Sequence, residues 1–317
     1  MADFPPAGVS GGPAPDGPDG GAHGSPNGDP NGGASVSASR LWFFAVLLVI
    51  GMFSLEFGSA FAAMAMDSAS AGVVVTLRMG IAGLILMILL RPRVRGLAGS
   101  DWAWLAGLAV TMGLMNLFFY LSIDRIPLGA AVTFELVGPL ILAAVRARTP
   151  RSVLFTTLAF GGVVMLGWSG LHDLTAAGVA CALIAGAFWA GYILTTEGTG
   201  RRFSGQTGLA LALTIGGISL APIGLFTAPS AFLDPWVLGL GLVVAVMSSI
   251  IPYGIDMAAL RVLPAGLFAT LTALAPATAA IAGVAILGQH LSPLSWVGLV
   301  VVVAAAGMAL RESAVTA

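Results

Sequence analysis

The sequence predicts an all-α membrane protein of ten transmembrane helices, arranged as two five-helix repeats of opposite orientation. Three observations carry this. From about Leu41 onward the chain is a succession of apolar stretches of bilayer length. Its arginines fall almost entirely into alternate connections. Two distant segments share one proline–glycine pattern.

Composition sets the class. The 317 residues are 58% hydrophobic and 9% charged, with a mean hydropathy of +0.99. Soluble domains carry about 25% charged residues, so this much apolar surface needs lipid around it. The net charge is −1 and no basic tract exists, which leaves nucleic acid without an electrostatic footprint. The single cysteine, Cys181, excludes internal disulfides and cysteine-based metal clusters. All thirteen basic residues are Arg; with the abundant Ala, Gly and Val this reads as the coding bias of a high-GC bacterium.

Residues 1–38 are Gly-, Pro-, Ala- and Asp-rich, have nothing to bury, and are expected to be a disordered tail. They lack the basic start and apolar core of a secretory signal. Ten apolar segments follow, at about 42–66, 71–90, 102–123, 127–145, 152–168, 175–196, 207–226, 235–256, 264–287 and 293–310, with a short tail at 313–317. Each has the length of a spanning helix. Backbone polar groups in a bilayer must pair within the segment, and runs such as VLLVIGMF do not alternate as barrel strands would.

Taken in order, the first segment holds Glu56 midway and the second holds Arg78. The third puts Asn116 and Tyr120 on one face, and the fourth carries Glu135 one turn before Pro139. The sixth puts Trp189 and Tyr192 on one face; the eighth carries Pro252, Tyr253 and Asp256; the ninth carries Pro276. Trp42, Trp102, Trp104, Trp168, Trp236 and Trp296 stand near segment ends as interfacial anchors.

Orientation follows from charge. Arg40, Arg91, Arg93, Arg95, Arg146, Arg148, Arg151, Arg201, Arg202, Arg261 and Arg311 fall on one side, and only Arg125 on the other. The positive-inside rule then makes both termini cytoplasmic. The segments RIPLGAAVTFELVGP and RVLPAGLFATLTALAP align Pro127, Gly129 and Pro139 with Pro264, Gly266 and Pro276. A weaker echo aligns Gly51 and Phe53 with Gly186 and Phe188. This divides the chain into repeats at 39–173 and 174–312. Five helices is an odd number, so the halves are inverted, a plan common in secondary transporters. Pro139, Pro252 and Pro276 are candidate helix breaks, with tolerated packing kinks as the alternative.

Four ionisable residues lie well inside the segments: Glu56, Arg78, Glu135 and Asp256. Intramembrane charges are costly and face cavities or partners. Glu135 and Glu56 are candidate proton carriers, because a buried carboxyl group can exchange between neutral and charged forms, and Glu56 is also a candidate for binding a substrate amino group. Arg78 could grip a substrate carboxylate bidentately. The expectation is instead a structural pairing with Glu56 or Glu135, since both acids lie in its half. Asp256, near a helix end, is expected to reach water, with a gate as the functional alternative. Asn116, Tyr120, Trp189, Tyr192 and Tyr253 suit a polar cavity, although each alone is more often packing or interhelical glue.

The stretches MNLFFYLSIDRIPLGAAVTFELVGPL, GAFWAGYIL, IPYGIDMAALRVLPAGLFATLTALAPA and LRMGIAG resemble the drug/metabolite transporter superfamily, and within it the EamA-type threonine/homoserine exporter group. The resemblance implies ten helices in inverted repeats and proton-driven export of small amino acids or metabolites. Ala275 and Gln289 stand where many relatives carry Glu, and Glu56 stands where an amide is more common.

His23, His172 and His290 show no metal-ligand spacing, and neither a nucleophile elbow nor a Walker A loop occurs. The expectation is therefore a transporter without cofactor, metal or enzymatic activity. Its partners are the bilayer of the inner membrane, a small-molecule substrate and protons. The oligomeric state, a homodimer included, stays open. The alternatives are export of drugs or hydrophobic cations, and a non-transporting membrane scaffold.

Overall fold

A computed structural model describes residues 38–92, 94–126, 128–147, 149–167, 174–278, 281 and 292–316. The expected N-terminal tail (apart from Ala38), Trp168, Gln289 and all three histidines lie outside these residues. Every regular element among the described residues is helical.

The helices are α1 (Ala38–Met66), α2 (Ala71–Leu90), α3 (Gly99–Ile123), α4 (Leu128–Glu135), α5 (Val137–Arg146), α6 (Pro150–Gly167), α7 (Ala176–Arg202), α8 (Thr207–Thr227), α9 (Pro235–Ala245), α10 (Ile251–Ala259), α11 (Ala265–Leu271) and α12 (Pro293–Thr316). Seven are long and apolar enough to cross a bilayer, counting α9 and α10 as one helix. The fourth expected span is the α4–α5 pair, the fifth is α6, and the ninth begins with α11. The continuous described part of the ninth ends at Thr278, and of its expected extent to residue 287 only Ile281 is described beyond that point. This is the fold of an all-α, multi-pass membrane protein.

Helix starts follow local chemistry. Ser70 Oγ caps α2 by accepting from Val73 N, and Thr175 Oγ1 caps α7 by accepting from Gly178 N. Asp234 caps α9 with Pro235 in the first turn, where the missing N–H costs nothing. Two helices run well past their expected ends. The sixth span continues from 196 to Arg202, because Glu197 and Arg201 pair at 2.7 Å one turn apart and Arg202 reaches Asp101 at 3.2 Å. Residues 313–316, expected as a tail, continue α12.

The helices pack in pairs: α2 against α8, α3 against α7, α6 against α12, α5 against α11, and α1 against α9 and α10. Small residues set these distances. A Cβ on Gly83 would collide with Thr214, one on Gly217 with Gly80, and one on Gly162 with Val302. The outer faces are apolar, with Phe226, Leu233, Val145 and Ile218 among the most exposed side chains. Such a surface belongs in hydrocarbon. Trp42, Trp102, Trp236 and Trp296 are exposed near helix ends. Trp104 departs from the anchoring role: it packs on Gly198, with the Arg202 guanidinium 5.7 Å from its ring centre.

Candidate functional site

Three irregular turns meet near the middle of the bundle, each just before a proline. Leu136 separates α4 from α5, ahead of Pro139. A π turn, Val246–Ile250, joins α9 to α10 ahead of Pro252. A 3-10 turn, Thr272–Leu274, follows α11 ahead of Pro276. Proline lacks an N–H, so each frees the carbonyl four residues back: Glu135, Ser248 and Thr272. Around these turns lies a cavity of about 70 Å³. Its walls are Glu56 and Ser59 from α1, Arg78 from α2, Asn116 from α3, Glu135 from α4, Trp189 and Tyr192 from α7, Pro252, Tyr253 and Asp256 from α10, and Thr272 and Ala275 beyond α11.

Arg78 is 2% exposed and holds the site together. Its Nε donates to Ser249 Oγ at 2.8 Å, Nη1 donates to the Tyr120 hydroxyl at 3.0 Å, and Nη2 donates to the Tyr253 hydroxyl at 2.9 Å and to the Ser248 carbonyl. The guanidinium also lies 5.3 Å from the Tyr253 ring centre and 6.0 Å from that of Tyr120. The expected pairing of Arg78 with Glu56 or Glu135 does not form. Among the described residues every ion pair within 4 Å lies elsewhere, at Arg125–Asp124, Arg201–Glu197 and Arg202–Asp101. The reason is supply: hydroxyls and a freed carbonyl already surround the guanidinium.

Both glutamates therefore face the cavity without a hydrogen-bond partner on the described protein, with a fixed positive charge in the same wall. Asp256 joins them. The expectation that it reaches water at a helix end is corrected: it lines the cavity and accepts from the Tyr192 hydroxyl at 2.8 Å. The Tyr192 and Tyr253 rings pack at 5.3 Å. Asn116 Nδ2 donates to the Tyr253 hydroxyl and to the Met112 carbonyl, each at 2.7 Å.

The glutamates sit on tightly held backbone. Next to Glu56, Ser54 donates to the Met247 carbonyl at 2.7 Å, and a Cβ on Gly58 would strike Ser248. Next to Glu135, a Cβ on Gly138 would strike the Gly186 carbonyl, and one on Gly186 would strike the Glu135 carbonyl. The bend freed by Pro139 thus rests on α7.

A wider cavity of about 540 Å³ opens at one end of the bundle, between α5, α6, α7, α12 and the α10–α11 connection. Arg146, Arg201, Arg261, Glu197 and Glu312 line it. Arg261 donates to the Gly200 carbonyl at 2.8 Å and to those of Phe203 and Gly205, tying this connection to the end of α7. Partial burial pushes its pKa down, although a guanidinium keeps its charge.

Of the residues singled out from sequence, Tyr120 supports Arg78 from behind the cavity wall, while Pro139 and Pro276 shape the turns. The rest line the cavity. Thr272, Ser248 and Ser249 were not foreseen. Thr272 had a signal: it precedes Pro276 by the spacing that separates Glu135 from Pro139. Among the described residues no group of His, Cys, Asp and Glu could hold a metal ion.

Residues 176–311 match the EamA-like transporter family. The chain is 36% identical over 275 residues to the threonine/homoserine exporter RhtA of Escherichia coli (strain K12), across 86% of this chain and 92% of that one. The chain belongs to the EamA-like transporter family. It is a membrane transporter of small metabolites and not an enzyme. RhtA of Salmonella typhimurium (strain LT2) is 36% identical over 269 residues, 84% of this EamA-like chain and 90% of its own. The uncharacterized transporter YwfM of Bacillus subtilis (strain 168) is 30% identical over 215 residues, 65% of this chain and 73% of its own. A solved crystal structure at 15% identity superposes with a TM-score of 0.68 over 87% of this chain and 98% of its own, which shows a shared fold.

Proposed function

We propose that this EamA-like transporter exports small amino acids, threonine or homoserine among them, across the bacterial inner membrane in exchange for protons. One observation carries the reading. Glu56 and Glu135 line one small cavity with no hydrogen-bond partner on the described protein, while the guanidinium in that wall is satisfied by neutral groups. A carboxylate left free in low dielectric wants either a proton or a cationic group. A substrate ammonium and a proton then compete for the same oxygen atoms, which makes the exchange obligatory.

Cavity size supports a small ligand. At roughly 10–15 Å³ per water, the 70 Å³ space holds a few waters or one small zwitterion. Bulky hydrophobic cations, the rival substrates, would need a larger space and no fixed positive charge in the wall. The named relatives favour threonine and homoserine.

The repeat reading gains support from the helix pairs. Exchanging the first five spans with the last five maps α2–α8, α6–α12 and α5–α11 onto themselves, and α3–α7 onto the pairing of α1 with α9 and α10. On this reading the two halves rock about the cavity. The positive-inside rule makes the arginine-lined end cytoplasmic, so the wide cavity is the vestibule by which substrate arrives.

The test is efflux of radiolabelled threonine and homoserine from loaded cells, with wild type or Glu135→Gln and a protonophore control. Gradient-dependent efflux that the mutant lacks is the expected result. Normal membrane expression with no efflux of either amino acid would overturn the substrate. Unchanged efflux in the mutant would remove Glu135 from the coupling.

A further inference from the structure

We propose that Tyr253 receives the substrate's carboxylate, and that Arg78 acts on the substrate through this hydroxyl and not as a bidentate clamp. The proposal rests on the amino-acid reading above. A tyrosine hydroxyl has one proton to give and two lone pairs with which to accept. Both lone pairs of Tyr253 are taken, by Asn116 Nδ2 at 2.7 Å and by Arg78 Nη2 at 2.9 Å. The orientation of the Asn116 amide is fixed by its other bond: the same atom lies 2.7 Å from the Met112 carbonyl, which can only accept. It must therefore be the nitrogen, and both of its hydrogens are committed.

The Tyr253 proton points toward neither donor. Among the described residues no acceptor on the protein lies within its reach, and Tyr253 lines the cavity. An acceptor in the cavity is what it lacks. Because one of its partners is a guanidinium, the hydroxyl is polarised into a stronger donor than a free tyrosine.

Arg78 cannot clamp the carboxylate bidentately. Four of its hydrogen bonds already go to Ser249, Tyr120, Tyr253 and the Ser248 carbonyl. A guanidinium has five N–H groups, so the two parallel donors of a bidentate carboxylate clamp are not free. The substrate's two charged ends then find separate walls: the carboxylate at Tyr253, and the ammonium at Glu56 or Glu135. Arg78 and Asn116 are positioning residues.

The test is isothermal titration calorimetry on the full chain purified in detergent, with threonine and with threoninol. Threoninol keeps the ammonium and the side chain and replaces the carboxylate with an alcohol. Wild type should prefer threonine, and Tyr253→Phe should lower threonine affinity about tenfold to a hundredfold, the range for a hydrogen bond to a charged group, while threoninol, whose alcohol offers only a neutral acceptor, should lose less. Asn116→Asp supplies an oxygen that captures the Tyr253 proton, so it should erase the same preference and serves if Tyr253→Phe does not fold. Retention of the wild-type preference in these variants, or equal loss for both ligands, would overturn the assignment. Absence of binding of either ligand to wild type would instead remove the amino-acid reading beneath it.

Discussion

Arg78 donates to the carbonyl of Ser248, and that carbonyl lacks its usual helical donor because Pro252 stands four residues on. The π turn before Pro252 leaves the Met247 carbonyl in the same condition, and Ser54 supplies its donor at 2.7 Å. A break in one helix is thus closed by side chains from two others, α1 and α2. Backbone groups inside a bilayer must find partners of this kind. The result places an arginine in the cavity wall without spending either glutamate on it.

This relationship can be measured as a coupling. Arg78→Met removes donors from buried hydroxyls and a carbonyl, each worth about 1–3 kcal/mol when left unmet. Pro252→Ala restores an N–H that can serve the Ser248 carbonyl. The destabilisation by Arg78→Met should therefore be smaller by about 1 kcal/mol in the Pro252→Ala background. Unfolding of the four proteins in detergent gives the cycle, and strict additivity would mean that the proline and the arginine are independent.

The α4–α5 bend should be intolerant of a single methyl group. Gly186→Ala drives a Cβ into the Glu135 carbonyl, so α7 must retreat from the bend that carries Glu135. The expected cost is about 1–3 kcal/mol, with transport reduced. Gly239→Ala in α9 meets nothing within 4 Å and should be neutral or mildly stabilising. Thermal stability and efflux of the two variants side by side check this.

Orientation is open to thiol labelling. Cys181 is the only cysteine, so Cys181→Ser gives a clean background. In it, Ser152→Cys in the vestibule should react with a membrane-impermeant maleimide in inside-out vesicles and not in right-side-out ones. Ser68→Cys, between α1 and α2 at the opposite end, should show the reverse. The opposite labelling pattern would invert the topology.

Much of this was legible in sequence, because hydropathy, the arginine distribution and the intramembrane acids all report directly on a bilayer. Glu56, Arg78 and Glu135 stood out as costly residues, and they do line one cavity. What did not show were the partners. Arg78 meets Ser248, Ser249 and Tyr253 across some 170 residues of chain, and no local pattern encodes that approach. Charge counting suggested an acid for it; the proline-freed carbonyl and the hydroxyls took that place. Asp256 was assigned to water by its distance from the helix end, whereas the π turn and Pro252 set α10 so that it faces Tyr192. Thr272 carried no charge to mark it, although the proline repeat gave its position.

The central claim is that substrate and proton compete for the carboxylates of one cavity. Its most direct test is proton release on substrate binding, followed with a pH-indicator dye on the purified chain in weakly buffered detergent solution. Threonine should displace protons from wild type, less from Glu56→Gln or Glu135→Gln, and none from the double variant. Threonine binding to wild type with no proton release would contradict the account.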